Sequence, residues 1–325
     1  MNTLPAALAT LLRAGAAALS PGGPRGSLLV LMYHRVLPEP DPLLPDEPDA
    51  ARFAAQMRLV GSLCRIVSLS DAVQQLAAGT LPPRAAAITF DDGYVNNLEI
   101  AVPVLRELGL PATFYVATGF IEGDVMFNDV AIEAVRHAPA VLDLREAGLP
   151  RYELAGLEAR RAAIDDLLPR IKYLDPAQRT RTTAVIAAAA GIEMPRGLMM
   201  DEVQLRQLAR SGMEIGAHSV SHPILARLDP DAARREITAG KQRLERLAGQ
   251  RVRSFAYPNG RPGRDYGPEH VAMVREAGFE NAVSTAWGKT TRVSSRFEIP
   301  RIAPWDRSAL RYGLRLLRCY AAAGG

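Results

Sequence analysis

The chain has 325 residues, enough for one large domain or two small ones around a buried core. Its composition, 48% hydrophobic and 23% charged, is ordinary for a globular protein. The net charge of +4 is mild and the arginines are spread along the chain, which argues against a nucleic-acid partner. Two cysteines, Cys64 and Cys319, have neither metal-type spacing nor a disulfide framework and read as free thiols. No run of about 18 apolar residues marks a membrane span.

Residues 1–26 open with LPAALATLLRAGAAALS, an alanine-rich apolar stretch with no Lys or Arg ahead of Arg13. A secretory signal places positive charge before its apolar core. The stretch therefore reads as a short leader helix and linker, and a weak signal peptide or membrane-surface helix is the alternative. SLLVLMY (27–33) is a continuous apolar run, the pattern of a strand buried on both faces. The proline-rich segment LPEPDPLLPDEPD must be a loop. AARFAAQMRLVGSLC has helical spacing at Phe53, Met57 and Val60. RIVSLSDAVQQLAAG reads as a strand, then a helix led by Asp71 and stopped at Gly79.

AAAITF, the turn DDGYVNN, the helix LEIAVPVLRELGL and the strand PATFYVA form a βαβ unit, the building block of parallel sheets. From Phe127 to about residue 200 the chain is rich in Ala, Arg and Leu with helical spacing and no strong strand signal, so a helical insertion is expected there. Strand–helix alternation then resumes with MEIGAHS, VRSFAYP and NAVST. The expected organisation is one βα-repeating domain over 27–306, interrupted by the insertion at about 127–200. A basic C-terminal helix over 307–325 follows, with Leu310, Leu314 and Leu317 beside its arginines; it is expected to pack on the domain, with a peripheral membrane contact as the alternative.

Chemistry in such folds gathers where strands end. Asp91 and Asp92 close one strand, and adjacent side chains of a strand point to opposite faces, so the two can serve different roles. His218 and His222, four apart, can offer two imidazoles on one side, and two histidines with a carboxylate are a common divalent-metal set. FAYPNG ends a further strand.

Together ITFDDGYVNN, EIGAHSVSHPILARL and FAYPNG resemble the polysaccharide deacetylases of the NodB homology class, carbohydrate esterase family 4, from Leu28 to about Ile302. The resemblance implies an irregular (β/α) barrel and a hydrolase that removes N-acetyl groups from a glycan. It implies a divalent metal, most often zinc, held by Asp92, His218 and His222, with Asp91 as the base. Tyr257, Pro258 and Asn259 are implied to line the substrate groove, with an oxyanion donor among the backbone N–H groups near Tyr257. Family members commonly draw their acid from a histidine near the C-terminus, and this chain has none after His270. LMYHRV is similar to the start of a permuted subgroup, including deacetylases of secreted poly-N-acetylglucosamine, where the strand with the acid comes first. His34 is assigned as the acid on that basis.

The arginine that orients the base in many relatives is replaced by Ala256 in FAYPNG. Arg301 is the expected substitute and Arg35 its competitor. Trp305 is a candidate for stacking on a sugar or for a structural role. Asn128 is expected to cap the first insertion helix rather than face the site. An O-acetyl esterase and a non-catalytic glycan-binding relative are the competing functions. The acid His34 favours the amide, whose leaving nitrogen needs a proton. Cytoplasmic action during polysaccharide synthesis is the expected location, with a periplasmic or membrane-peripheral one as alternative.

Overall fold

A strand covered on both sides needs an apolar side chain at every position, and the first strand, β1 (Ser27–Tyr33), has them from Leu28 onward. In the computed structural model, which describes residues 4–123 and 125–322, its side chains divide by alternation. Leu28 and Val30 enter one cluster with Ala85, Ala87, Tyr115, Val283 and Ile299, inside the sheet. Leu29, Leu31 and Tyr33 enter the cluster under the surrounding helices. The same division on neighbouring strands gives a curled sheet with a filled interior and an outer helical coat.

Helix α1 (Ala6–Leu19) precedes β1. After it come α2 (Ala50–Leu63), β2 (Arg65–Ile66), α3 (Leu69–Ala78), β3 (Ala85–Phe90), α4 (Val102–Glu107) and β4 (Thr113–Val116). The helix led by Asp71 in the sequence reading starts two residues earlier, and Asp71 lies in its first turn. The insertion holds α5 (Phe127–His137), β5 (Val141–Asp143), β6 (Arg151–Glu153), α6 (Leu157–Lys172) and α7 (Pro176–Ala190). The chain returns through α8 (Glu202–Arg210), β7 (Glu214–Ala217), α9 (Pro230–Ala248), β8 (Ser254–Ala256), α10 (Pro268–Glu276), β9 (Asn281–Val283), β10 (Thr290–Thr291) and α11 (Ala309–Ala321).

Strands run in the order β10-β1-β3-β4-β7-β8-β9, with every pair from β1 to β9 parallel and β10 antiparallel to β1. Residues 299–302 then fill the gap between the two ends. Ile299 N–H donates to Ala282 O on β9, and Ile302 N–H donates to Val30 O on β1. The sheet thus closes as an irregular barrel through a short segment that carries Arg301.

The insertion departs from its all-helical reading. Val141–Asp143 and Arg151–Glu153 pair antiparallel as a three-residue hairpin. Runs this short give almost no alternation signal, and their place is fixed by packing: Leu142, Leu144, Tyr152 and Leu154 fill a separate core with Val135, Ile164, Leu167 and Ile186. Asn128 is not a cap either. It is the second residue of α5, and its side-chain amide donates to Tyr94 Oη at 3.2 Å.

Helix α11 lies on α1 and α2. Its inward face is Tyr312, Gly313, Leu316, Cys319 and Tyr320, while Leu310 and Leu314 point outward, 40% and 51% exposed. Tyr320 donates to Ala85 O at 2.8 Å, anchoring the helix to the foot of β3. Trp305 is half exposed, with Arg315 stacked on it at 4.4 Å, and Arg315 also pairs with Asp306. Cys64 and Cys319 are buried free thiols. No helix among the described residues is long and apolar enough to cross a membrane.

Candidate active site

The C-terminal ends of β1, β3, β7 and β8 open onto one cavity of about 580 Å³. His34 follows β1, Asp91 and Asp92 follow β3, His218 follows β7, and Asn259 lies beyond β8; all line it together with His222. Among the described residues five non-glycine positions have positive φ, and four of them are Asp92 (76°), Ser219 (64°), His222 (52°) and Asn259 (60°). Such backbone costs energy unless its surroundings hold it, and it gathers at functional sites. The loop of Ser219 and His222 is held from α9, where Glu236 accepts from the N–H groups of Val220 and Ser221 and from the Ser221 hydroxyl.

Asp92, His218 and His222 form a buried group able to hold a metal ion. His218 Nε2 and His222 Nε2 are 3.1 Å apart, and Asp92 Oδ1 lies 3.5 and 3.6 Å from them. A tetrahedral zinc with bonds of about 2.0–2.1 Å would set its ligand atoms about 3.3 Å apart, so the triangle fits such an ion. His218 Nδ1 faces Ala256 O at 2.7 Å, which fixes the ring and leaves Nε2 free for a cation. Burial, then the charge of His218, push His222 down to about 3, so its lone pair is available at neutral pH. Burial pulls His218 down, but Asp92 and Asp91 outweigh it and raise it. Burial likewise pushes Asp92 up, and its histidine neighbours reverse this and hold it well below the usual carboxylate range.

Asp91 faces the other way. Arg301 Nη1 and Nη2 donate to its two carboxylate oxygens at 2.7 Å each, and the pair is almost wholly buried. Arg301 Nε donates to Ser284 O at 2.9 Å, and Nη1 also reaches Thr89 Oγ1 at 3.2 Å. Burial pushes Asp91 up, but Arg301 and then His218 outweigh it, leaving the carboxyl below its ordinary range. Arg35 is committed elsewhere. It pairs with the buried Asp129 at 3.2 Å and stacks on Tyr94 at 4.9 Å, while Tyr94 donates to the same carboxylate.

Two groove assignments are corrected by the geometry. Tyr257 N–H donates to Val283 O at 3.2 Å within the sheet. The Tyr257 ring stacks on Tyr266 at 3.8 Å, buried beneath the cavity, and neither it nor Pro258 lines the opening. Asn259 does line it. Sequence reading missed the wall opposite, formed by Leu168, Pro169, Lys172 and Tyr173 of the insertion with Arg261 and Arg264 after β8. No local pattern marks these, because the path of the insertion decides where they land.

The chain is similar to known polysaccharide deacetylases. The sequence pattern of the family described as Polysaccharide deacetylase matches residues 78–149 and 169–282, more than half of the chain. YxkH of Bacillus subtilis (strain 168), whose name places it among polysaccharide deacetylases, is 24% identical over 277 residues, 85% of this chain and 70% of its own. The Streptococcus pyogenes deacetylase PplD, solved in complex with acetate, superposes with a TM-score of 0.61 at 17% identity, over 90% of this chain and 98% of its own. IcaB from Ammonifex degensii superposes at 0.56 and 18%, over 91% and 97%. A de-N-acetylase from Aggregatibacter actinomycetemcomitans gives 0.57 and 14%, over 88% and 99%.

Proposed function

Because the chain belongs to the polysaccharide deacetylase family, we propose that it is a metal-dependent hydrolase of N-acetyl groups on a saccharide, with Asp91 as base and His34 as acid. The observation that carries this reading is the convergence on one cavity of an ion-paired carboxylate, a histidine, and a buried Asp-His-His triangle.

Asp92, His218 and His222 would hold the divalent ion, zinc by the nitrogen-rich donor set. Bound there, it supplies positive charge that polarises the acetyl carbonyl and makes a nearby water more acidic. The protein's own groups do the rest. Asp91, kept ionised and oriented by the Arg301 fork, accepts the proton of the attacking water. A carboxylate of lowered pKa is a weak base, so it needs the water acidified first; base and ion depend on each other. His34 donates a proton to the sugar nitrogen as the C–N bond breaks, so the amine leaves neutral and acetate remains. In this reading β1, first in sequence, takes the position that the permuted subgroup gives its acid-bearing strand.

The test is acetate release from N-acetylglucosamine oligomers by wild type, Asp91→Asn and His34→Ala, zinc-loaded and chelated. The reading holds if wild type releases acetate, chelation stops it, and both variants bind zinc but lose activity. It fails if wild type leaves amides intact. Hydrolysis of acetate esters alone would replace it with the esterase.

A further inference from the structure

The cavity has a second charged wall that the hydrolysis of a neutral acetylated sugar does not use. Lys172 ends α6 in the insertion, Tyr173 follows it, and Arg261 and Arg264 lie in the turn after β8. All four line the same cavity as Asp91, Asp92 and His34. Arg264 stacks on the Tyr173 ring at 4.4 Å and Lys172 sits 5.6 Å from the same ring, so one aromatic platform holds two cations together.

These cations outnumber the carboxylate beside them among the described residues. Among the described residues none of Lys172, Arg261 and Arg264 forms an ion pair, whereas Arg136, Arg170, Arg206, Arg243 and Arg253 each do. The nearby carboxylate is Asp265, and it is fully buried and already engaged. It accepts from Arg261 N–H at 3.0 Å and from the Tyr173 hydroxyl at 3.4 Å. Three cations against one carboxylate leave two positive charges at the rim. Elsewhere in the cavity Asp91 is matched by Arg301, and Asp92 belongs to the metal triangle. Desolvation works against the charge on half-buried Lys172, Asp265 opposes it, and the smaller repulsions of Arg261 and Arg264 add to the desolvation, so its pKa is lowered overall. Crowding like charges at a cavity mouth destabilises the folded protein, and a bound anion relieves it.

We propose that Lys172, Arg261 and Arg264 bind a phosphoryl group carried by the acetylated saccharide, so that the substrate is a phosphorylated glycan or glycan precursor. The inference rests on the deacetylase reading above. A phosphoryl dianion matches the two unanswered charges; a carboxylate leaves one over. Arginine forks and a lysine point charge are both suited to phosphate oxygens. This gives the insertion a role in substrate choice, since its α6 carries Lys172 to the barrel mouth and sets which saccharides are held.

The test compares acetate release by zinc-loaded enzyme from three substrates: a neutral N-acetylglucosamine disaccharide, the same disaccharide 1-phosphate, and a disaccharide ending in a hexuronate. Calorimetric titration with N-acetylglucosamine 1-phosphate is run beside it, on wild type and on Lys172→Ala/Arg264→Ala. Wild type is expected to show a KM at least about tenfold lower for the phosphate than for the neutral sugar, with the gap closing in about 0.5 M salt. The double variant is expected to lose that preference and the calorimetric binding while its melting temperature holds. Equal KM values for phosphorylated and neutral sugars, or a preference that survives the double variant, overturn the proposal. A hexuronate held as tightly as the phosphate overturns the phosphoryl assignment. If wild type cleaves none of the three, the deacetylase reading fails, and the titration alone decides the anion site: heat lost in the double variant supports it, no heat in wild type overturns it.

Discussion

Replacing Arg301 by alanine tests the construction of the site most directly. The substitution removes two 2.7 Å charge-assisted bonds to Asp91 and the bonds to Ser284 O and Thr89, all without solvent access. It leaves the Asp91 carboxylate buried and unpaired, which costs about 3–5 kcal/mol. At about 2 °C per kcal/mol for a domain of this size, the melting temperature should fall by about 6–10 °C at pH 7. Because Asp91 titrates lower in the folded chain than in the unfolded one, the pair's contribution is whole above the unfolded pKa and is lost as pH falls through the folded value. Without Arg301, burial raises Asp91 in the variant, so the stability difference between wild type and variant should be largest above that raised pKa and shrink as pH falls from it toward the lowered wild-type value. Asp91→Asn in the same background removes the stranded charge and should recover part of the loss. Urea unfolding of the four proteins in the cycle measures this. Effects of Arg301→Ala and Asp91→Asn that add within about 0.5 kcal/mol would refute the claim that Arg301 acts through Asp91. Activity gives a second reading: a misplaced base should cost about 100-fold in kcat.

Other predictions address separate parts of the site. His34→Ala should lower kcat on an N-acetyl sugar by about 10²–10⁴-fold and on an aryl acetate much less, since a phenolate leaves without a proton; equal losses on both would remove His34 from the acid role. Zinc at about 100 times its dissociation constant should stabilise the protein by about 2.7 kcal/mol, and His222→Ala should abolish that shift in a thermal melt. Gly240 in α9 leaves no room for a side chain, since a Cβ there would meet Ser219 O at 2.9 Å. Gly240→Ala should therefore push on the loop between the two histidines and weaken zinc binding with little change in far-UV circular dichroism; unchanged zinc affinity would show that the loop yields freely.

What could be read in the sequence follows from how local each signal is. β1, β3 and β4 are legible because burial on both faces writes a nearly continuous apolar run, with Thr89 in β3 and Thr113 at the head of β4 as the small exceptions. Asp91, Asp92, His218 and His222 are legible because each lies within a few residues of a strand end, inside short contiguous motifs that resemble those of a known family. The hairpin at 141–153 leaves no trace, since three residues cannot establish a period. Nor can spacing decide between Arg35 and Arg301. That choice depends on residues 299–302 entering the barrel between β9 and β1, a contact between opposite ends of the chain.

The same closure explains how His34 and Arg301 reach one cavity from those opposite ends. A barrel makes neighbours of its first and last segments, so β1 and residues 299–302 lie side by side. Tyr33 O then accepts from Asp91 N–H at 2.9 Å, which ties the backbone just before His34 to Asp91 itself. Arg301, one residue before Ile302, reaches the same carboxylate from the other flank. Position along the chain is thus free to vary, whereas position around the barrel is not. A change that loosened the 299–302 segment would shift the orientation of Asp91 before it disturbed the metal triangle, which is built on β3 and β7. Loss of kcat with zinc affinity intact is therefore the signature expected of Ile302→Ala, and a parallel loss of both would mean that the two halves of the site are not built independently.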